Sequence, residues 1–405
     1  MKNNTCPLIG KCGGCQILHL PYEKTIELKK QYVLECFKKE GIRASINKII
    51  PAKDHFKYRN KMIIGFKMQD GKVVSGFYEE NSHKIIDLNY CLMHSDLQNE
   101  IAMYIKELVK EYKLKPYDED KQVGVLRYVL IREAIYTKEV LITFVTASEV
   151  FPARADITKK LLSKFKEVKT IIQNINPRKT SIVLGEKENI IFGKGFIEDK
   201  LMGLSFKITS KSFYQINPKQ TELLYQEVID NSKINKNETL IDAYSGIGTI
   251  GMILSKNALE VISVENNPQA HKAAIMNAKD NKIKNVFFVH DDATEFIDKF
   301  ARENEKVDCL VMDPPRTGST PKFLKNVIKL APKKLIYVSC GPDTLARDLK
   351  ILLENYQINY VSITDMFCFT KHVETVVVLS YKGNTKTSMK KEYSVKKANY
   401  KEQRK

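Results

Sequence analysis

The residues of this chain that could do chemistry gather where apolar runs end. In Leu335-Ile336-Tyr337-Val338-Ser339-Cys340-Gly341-Pro342-Asp343, four apolar or aromatic residues lead into a Ser-Cys pair, and Gly-Pro breaks the run before a helical segment. An α/β fold binds its ligands at the carboxyl ends of parallel strands, so a cysteine there faces a cleft and is a candidate nucleophile. For this stretch alone the bland alternative is the commoner fate of free cysteine, a small hydrophobe closing a strand. Another run ends in Val311-Met312-Asp313-Pro314-Pro315-Arg316, which sets an acid against a rigid Pro-Pro turn. A third stretch, Thr370-Lys371-His372-Val373-Glu374-Thr375, opens a strand with an acid of the type used for proton transfer.

A fourth run ends in Ile241-Asp242-Ala243-Tyr244-Ser245-Gly246-Ile247-Gly248-Thr249-Ile250-Gly251, a literal GxGxxG. Glycines at this spacing let a backbone approach a nucleotide cofactor, and Glu265 at the end of the next strand is placed to bond ribose hydroxyls. A dinucleotide and S-adenosylmethionine (SAM) both fit these features. The pattern Asp242-x-Tyr244-x-Gly246-x-Gly248 leans to SAM. Asp291-Asp292, after a further strand, could bind an adenine amino group or simply cap a helix.

The amino-terminal segment holds different chemistry. Cys6-Pro7-Leu8-Ile9-Gly10-Lys11-Cys12-Gly13-Gly14-Cys15 places three cysteines in a tight loop able to wrap a metal. Only one CxxC is present, so a zinc ribbon with two knuckles is not indicated, and a fourth ligand must come from a distance. Cys91 is the best candidate, since Cys36 falls inside a predicted helix. Four thiolates in a 3+1 order suit a [4Fe-4S] cluster, and the spacing does not exclude zinc.

These groups need a scaffold of two or three domains, which 405 residues at 43% hydrophobic content can supply. Lys and Arg number 66 against 48 Asp and Glu, a formal charge of +18 that favours polyanions, nucleic acid first and an anionic membrane surface second. No apolar run reaches the ~20 residues of a spanning helix, and no apolar signal core follows Met1. The chain is expected to be cytoplasmic, without a membrane partner, and to keep its eight cysteines as thiols or metal ligands.

Residues 1–20 form the cysteine loop and residues 21–234 a mixed α+β domain. A helix is predicted over 22–40, with an apolar side that could pack on the following domain. Strands are predicted at 58–66 and 73–78, joined across Gln69-Asp70-Gly71, and at 125–134, 140–146, 170–174, 182–185 and 204–209. Tyr58-Arg59-Asn60-Lys61 and Leu126-Arg127-Tyr128 interleave cations with aromatics, either as a single-strand RNA surface or as ordinary solvated strand faces. From 235 to 381 strands and helices alternate, which predicts a doubly wound, mainly parallel sheet of seven strands. Residues 382–405 carry nine Lys or Arg against two Glu and are expected to be a disordered basic tail.

Taken together with Ser212-Phe213-Tyr214-Gln215-Ile216-Asn217-Pro218, these motifs give the chain a resemblance to the RNA uracil-5-methyltransferases, which use SAM to make 5-methyluridine in 23S rRNA and tRNA. The likeness runs from Cys6 to about residue 380. The resemblance implies a Rossmann-like SAM-methyltransferase domain in 235–381 and an RNA-binding role for the central domain. It further implies a cluster on Cys6, Cys12, Cys15 and Cys91, and action as a monomer. By it Cys340 would add to uracil C6 and Glu374 would remove the C5 proton. Gln215, Tyr244, Gly246, Gly248, Glu265, Asp292 and Asp313 would hold SAM. Thr249 stands where relatives often carry Asn, and Arg316 and Asp343 would position the uracil or its loop. The opening Cys6-Pro7-Leu8-Ile9-Gly10-Lys11-Cys12-Gly13-Gly14-Cys15-Gln16 resembles the 23S rRNA branch, with tRNA as the alternative.

Two features depart from the family pattern. Many members begin with a β-barrel that grips RNA, whereas this sequence starts at the cysteine loop. Asp365-Met366-Phe367-Cys368 has cysteine where a proline is usual. Three rivals explain less. A nicotinamide dehydrogenase leaves Cys340, Glu374 and the Asp-Pro-Pro-Arg stretch without roles. A cytosine-5-methyltransferase typically has a Pro-Cys pair that Asp313-Pro314-Pro315 lacks. A non-catalytic, cluster-bearing RNA-binding protein has no use for the SAM residues.

Overall fold

The computed structural model describes residues 6–80, 82, 84–179 and 182–383. Of the basic stretch 382–405, all but the first two residues lie outside the described residues. Internal contacts group the chain into two units. The first holds Met1–Tyr22, Lys53–Pro218 and Cys368–Thr370, and the second Glu23–Ala52, Lys219–Phe367 and Lys371–Lys405. No helix among the described residues is long and apolar enough to cross a membrane.

The second unit takes up α1 (Tyr22–Lys39), all but its first residue, and β1 (Lys48–Ile50). Helix α1 follows Pro21 and stops at Gly41, whose φ of 75° only glycine adopts without strain. Its buried stripe includes Val33, Cys36 and Phe37, which join the apolar core of this unit.

The first unit continues with β2 (Lys61–Gln69), β3 (Lys72–Tyr78), β4 (Ile85–Asp87), α2 (Asp96–Glu111), β5 (Leu126–Glu133), β6 (Val140–Thr146), α3 (Arg154–Lys164), β7 (Val168–Ile175), β8 (Lys187–Gly193), β9 (Ile197–Leu201) and β10 (Leu204–Ile208). Asp70 and Gly71 both have positive φ, 50° and 73°, so the predicted hairpin closes through a two-residue turn whose twist matches its strands. A seven-stranded sheet runs β4-β3-β2-β5-β6-β7-β8, antiparallel except between β6 and β7. Met62, Ile64, Val129, Ile131, Ile142 and Phe144 pack from one face of it against Ile101 and Ile105 of α2. The strand expected at 182–185 is absent, and β8 at 187–193 takes its place. That edge strand has no buried residue, so it lacks the alternation by which sequence reveals a strand.

The remainder of the second unit comprises α4 (Pro218–Ser232), β11 (Thr239–Ala243), α5 (Thr249–Leu254), β12 (Glu260–Glu265), α6 (Pro268–Asp280), β13 (Val286–His290), α7 (Ala293–Arg302), β14 (Cys309–Met312), α8 (Pro321–Leu330), β15 (Lys334–Ser339), α9 (Pro342–Leu352), β16 (Tyr356–Thr364) and β17 (Glu374–Tyr381). The sheet order is β1-β16-β17-β15-β14-β11-β12-β13. All pairs are parallel except those of β17, which runs against both β15 and β16. The seven predicted strands are joined by β1, whose three residues are too few for any periodic signal.

Ahead of β17 the chain is held by a buried ion pair. The Lys29 ammonium donates to Asp365 Oδ1 at 2.5 Å and to the Phe367 carbonyl at 2.9 Å, with both side chains almost wholly buried. Asp365 N in turn donates to Ile50 O, so β1 and α1 together fix the turn between β16 and β17.

Candidate active site

Strand β11 ends in a loop of unusual backbone. Tyr244, Gly246 and Gly248 have φ of 63°, 57° and 83°, and for tyrosine that conformation is strained. A Cβ on Gly246 would meet nothing within 4 Å, so its backbone faces open space. Gly248 has the opposite reason for its lack of a side chain, since a Cβ there would lie 2.8 Å from Met252 and 2.9 Å from Phe288. The loop is braced from β12, where Glu265 accepts from Gly246 N at 2.8 Å and from Asn267 N at 2.7 Å. Ser245 Oγ is buried without a partner among the described residues. An open glycine, an unused buried hydroxyl and a carboxylate at the next strand end fit the adenosine end of a nucleotide cofactor.

Other expected cofactor residues take visible structural roles as well. Asp292 caps α7 by accepting from Thr294 N at 2.8 Å. Thr249 starts α5, and its hydroxyl lies 3.2 Å from that of Tyr225. Tyr244 rests against Phe323 and bonds Ser319 at 3.2 Å. Gln215 is in the first unit, in a segment pinned by Asn60, whose Nδ2 donates to Gln215 O at 3.0 Å and whose N donates to Ile216 O. Phe213 in that segment is 68% exposed, an apolar surface that the sequence reading passed over.

The ends of β14, β15 and β17 bring the candidate reactive groups of the second unit together. Ser339 pairs with Thr375 at the end of the β15–β17 ladder, so the residues that follow and precede them, Cys340 and Glu374, lie close enough to influence each other electrostatically. Thr344 Oγ1 donates to Arg316 O and to Gly341 O, both at 3.0 Å, tying the Cys340 loop to the Asp-Pro-Pro-Arg loop. Burial pushes the Cys340 thiol up to about 11, and the negative charges of Glu374 and Asp313 add to it; Arg316 acts the other way, by its charge and by a hydrogen bond. Glu374 is 2% exposed. Burial, and then Asp313, hold its carboxyl well above the usual range, against the pull of Arg316. Burial also raises Asp313 and Asp242 to about 7 each. Three carboxyls short of positive partners suit a cationic ligand, which the sulfonium of SAM is. Sequence reasoning had only an optional role for Arg316; the structure gives it electrostatic contact with Cys340 and Glu374 alike.

The first unit gathers the four cysteines of the expected metal site. Cys6, Cys12, Cys15 and Cys91 line one cavity of about 50 Å³ with Arg59 on its wall. Gly14 N donates to Cys12 Sγ at 3.4 Å, and Arg59 donates to Gly14 O at 3.0 Å. Burial is the main cause that pushes Cys15 up to about 12 and Cys91 up to about 11. Among the described residues no group of three or more His, Cys, Asp or Glu converges tightly enough to hold a metal ion. Arg127, expected on either an RNA surface or a solvated strand face, is instead buried and bound to Glu119, Asn176 O and Arg178 O. Tyr58 and Asn60 are buried too.

A sequence profile described as tRNA (Uracil-5-)-methyltransferase matches residues 21–382. The chain is 39% identical over 379 residues to an uncharacterized RNA methyltransferase of Listeria innocua, covering 93% of this chain and 83% of the relative. A counterpart in Clostridium acetobutylicum is also 39% identical, over 92% of this chain and 82% of its own. Among solved structures, the Pyrococcus abyssi tRNA (uracil-54, C5)-methyltransferase in complex with S-adenosyl-L-homocysteine aligns with a TM-score of 0.77 at 30% identity, covering 93% of this chain and 86% of that one.

The raised carboxyls make a prediction for the ligand-free protein. A carboxyl whose folded value is near 7, above the ~3.9 of an unfolded Asp, binds its proton more tightly when folded, so stability falls as pH rises from about 4 to 7. Asp313→Asn has no carboxylate to bury. The variant should match the parent near pH 4 and exceed it by about 1–3 kcal/mol at pH 8, the shift being discounted for partial solvent access. Its SAM affinity should fall. Thermal unfolding across that range checks the first point, and parallel curves for the two proteins would refute it.

Proposed function

This chain belongs to the tRNA (uracil-5-)-methyltransferase family and is a SAM-dependent RNA methyltransferase, and on that premise we propose that it methylates C5 of a specific uridine through a covalent cysteine adduct. The observation that carries the reading is the convergence of Cys340, Glu374, Asp313 and Arg316 at three adjoining strand ends.

Uracil C5 is too weak a nucleophile to accept a methyl group unaided. The Cys340 thiolate adds to C6, forming a C–S bond and moving the ring electrons into an enolate over C5 and the C4 carbonyl. SAM, when bound, supplies an electrophilic methyl group. Gln215, Tyr244, Gly246, Gly248, Thr249, Glu265, Asp292 and Asp313 are the residues we assign to holding it. Once C5 carries the methyl, the Glu374 carboxylate takes the C5 proton, the C–S bond breaks, and the thiolate leaves. A carboxyl held well above the usual range is a stronger base than a solvated one, which suits that step. Arg316 helps the buried thiol ionise. Both groups react in their deprotonated forms.

We assign the cavity on Cys6, Cys12, Cys15 and Cys91 to a [4Fe-4S] cluster. A single zinc needs its thiolates to meet at a point about 2.3 Å from each. Thiols that surround a cavity, with a backbone N–H on one sulfur and a guanidinium beside another, suit a larger group. The cysteine loop supports 23S rRNA as the substrate, and the likeness to the archaeal enzyme named for uracil 54 of tRNA supports tRNA as the second reading. We place the enzyme in the cytoplasm as a monomer, where thiols of the loop stay reduced.

The catalytic roles separate by mutation. Cys340→Ala should form no covalent RNA adduct and no 5-methyluridine. Glu374→Gln should add and accept the methyl but stall before elimination. It should leave a methylated protein–RNA species that survives denaturing electrophoresis, with turnover lowered at least ~100-fold. Normal turnover by Glu374→Gln would assign the base elsewhere, and an adduct in Cys340→Ala would overturn the nucleophile. Mapping 5-methyluridine in 23S rRNA and tRNA of a deletion strain settles the RNA class: loss from 23S rRNA is expected, and loss from tRNA alone reverses it. Anaerobically purified protein should be brown with about four irons per chain. Stoichiometric zinc without iron would contradict the cluster.

A further inference from the structure

The first unit contains a pair of cations that no carboxylate among the described residues neutralises. Lys61 of β2 and Arg132 of β5 are direct partners across antiparallel strands. Met62, Ile64, Val129 and Ile131 turn to the apolar core, so strand alternation puts Lys61 and Arg132 together on the opposite face. Like charges directly opposed in this way destabilise a sheet. Arg132 is 4% exposed; its Nη2 donates to Ser212 O at 2.5 Å and to Ser210 O at 3.3 Å, while its buried Nε has no partner among the described residues. The Lys61 ammonium has no acceptor among the described residues. Burial, and then the Arg132 charge, push Lys61 down to about 8, and no carboxylate opposes that shift.

Arg127, five positions earlier on the same strand, shows what a purely structural arginine looks like here. It too is buried and bonds two backbone carbonyls, but Glu119 meets its charge. At Arg132 the place of that acid is taken by a second cation. Glu133, the neighbouring acid on β5, bonds Ser95 Oγ, and Asp199 is spent on the backbone amides of Ile135 and Tyr136. A buried arginine and a lysine left without a counter-ion form a receptor for an oxyanion supplied from outside.

We propose that Lys61 and Arg132 form an anion-binding site whose ligand is a backbone phosphate of the RNA substrate. The site adjoins the segment of Phe213 and Gln215: Arg132 bonds the Ser212 carbonyl just before it, and Asn60, next to Lys61, pins Gln215 and Ile216. A phosphate seated there relieves the repulsion between the two cations and sets the register of the RNA on the first unit. It carries no base information, because phosphate contacts position the chain without reading it. The choice of RNA as the source rests on the proposed function, whereas the existence of an anion site does not.

The test uses the full-length protein and two substitutions, Lys61→Gln and Lys61→Arg, which spare Arg132 and its carbonyl bonds. Inorganic phosphate should raise the melting temperature of the parent and of Lys61→Arg, and raise it markedly less in Lys61→Gln. Substrate RNA should bind Lys61→Gln roughly tenfold more weakly at low salt, with the slope of log affinity against log salt reduced by about 0.7–0.9, one phosphate contact. Lys61→Arg should restore both, SAM affinity should stay unchanged throughout, and kcat at saturating RNA should stay near that of the parent while KM rises. An unchanged salt slope and an unchanged phosphate response in Lys61→Gln would overturn the site. Loss of SAM affinity instead of RNA affinity would reassign the oxyanion to the methionine carboxylate and overturn the RNA phosphate. Absence of uridine methylation in the parent would strike the proposed function and leave the phosphate response to judge the site.

Discussion

The proposed chemistry depends on one strand running the wrong way. In a parallel sheet every strand ends on the same edge, and a residue at the start of a strand lies at the far edge from the ligands. Strand β17 is antiparallel to both its neighbours, so its first residue arrives beside the last residue of β15. That reversal is what brings Glu374 beside Cys340. The rest of the second unit can be read as keeping this meeting point in register: the buried Lys29–Asp365 pair fixes the turn before β17, β1 holds the same turn through Ile50, and Thr344 ties the Cys340 loop to Arg316.

The same meeting point concentrates unfavourable terms. Asp242, Asp313 and Glu374 lose solvent without gaining enough positive charge, the Tyr244 backbone adopts a left-handed conformation, and the Cys340 thiol is harder to ionise than a free one. Stability alone would remove such features. They make sense where a cationic cofactor completes the charge and a glycine-lined loop stays open for it. The large apolar core around β11, β14 and β15, with α1 added to it, supplies the rigidity against which that strain is held.

Much of this was legible in the sequence because chemistry and strand ends coincide. Cys340, Asp313 and the glycines after β11 each follow an apolar run that marks its own terminus, so residue type and position could be read together. The direction of β17 left no trace in composition, and the meeting of Cys340 with Glu374 therefore came from the resemblance and not from pattern. Lys29 was hidden in an amphipathic stripe, where one cation among Val33 and Phe37 reads as a solvated edge; only the structure shows its partner. Arg127 misled in the opposite direction, since a cation beside an aromatic looks like an exposed face, for RNA or for solvent, until its burial and its bond to Glu119 are seen. Strand β8 and strand β1 were missed for want of a buried face and of length.

The central claim is that a group of this protein removes the proton from uridine C5 after the methyl arrives. Substrate RNA carrying tritium at uridine C5, incubated with SAM and the enzyme, measures that event directly. The account predicts one tritium released to water for each methyl group transferred, with no methyl transfer to RNA whose target uridine is absent. Methyl transfer with the tritium retained in the product would place the new methyl on another atom and contradict the account.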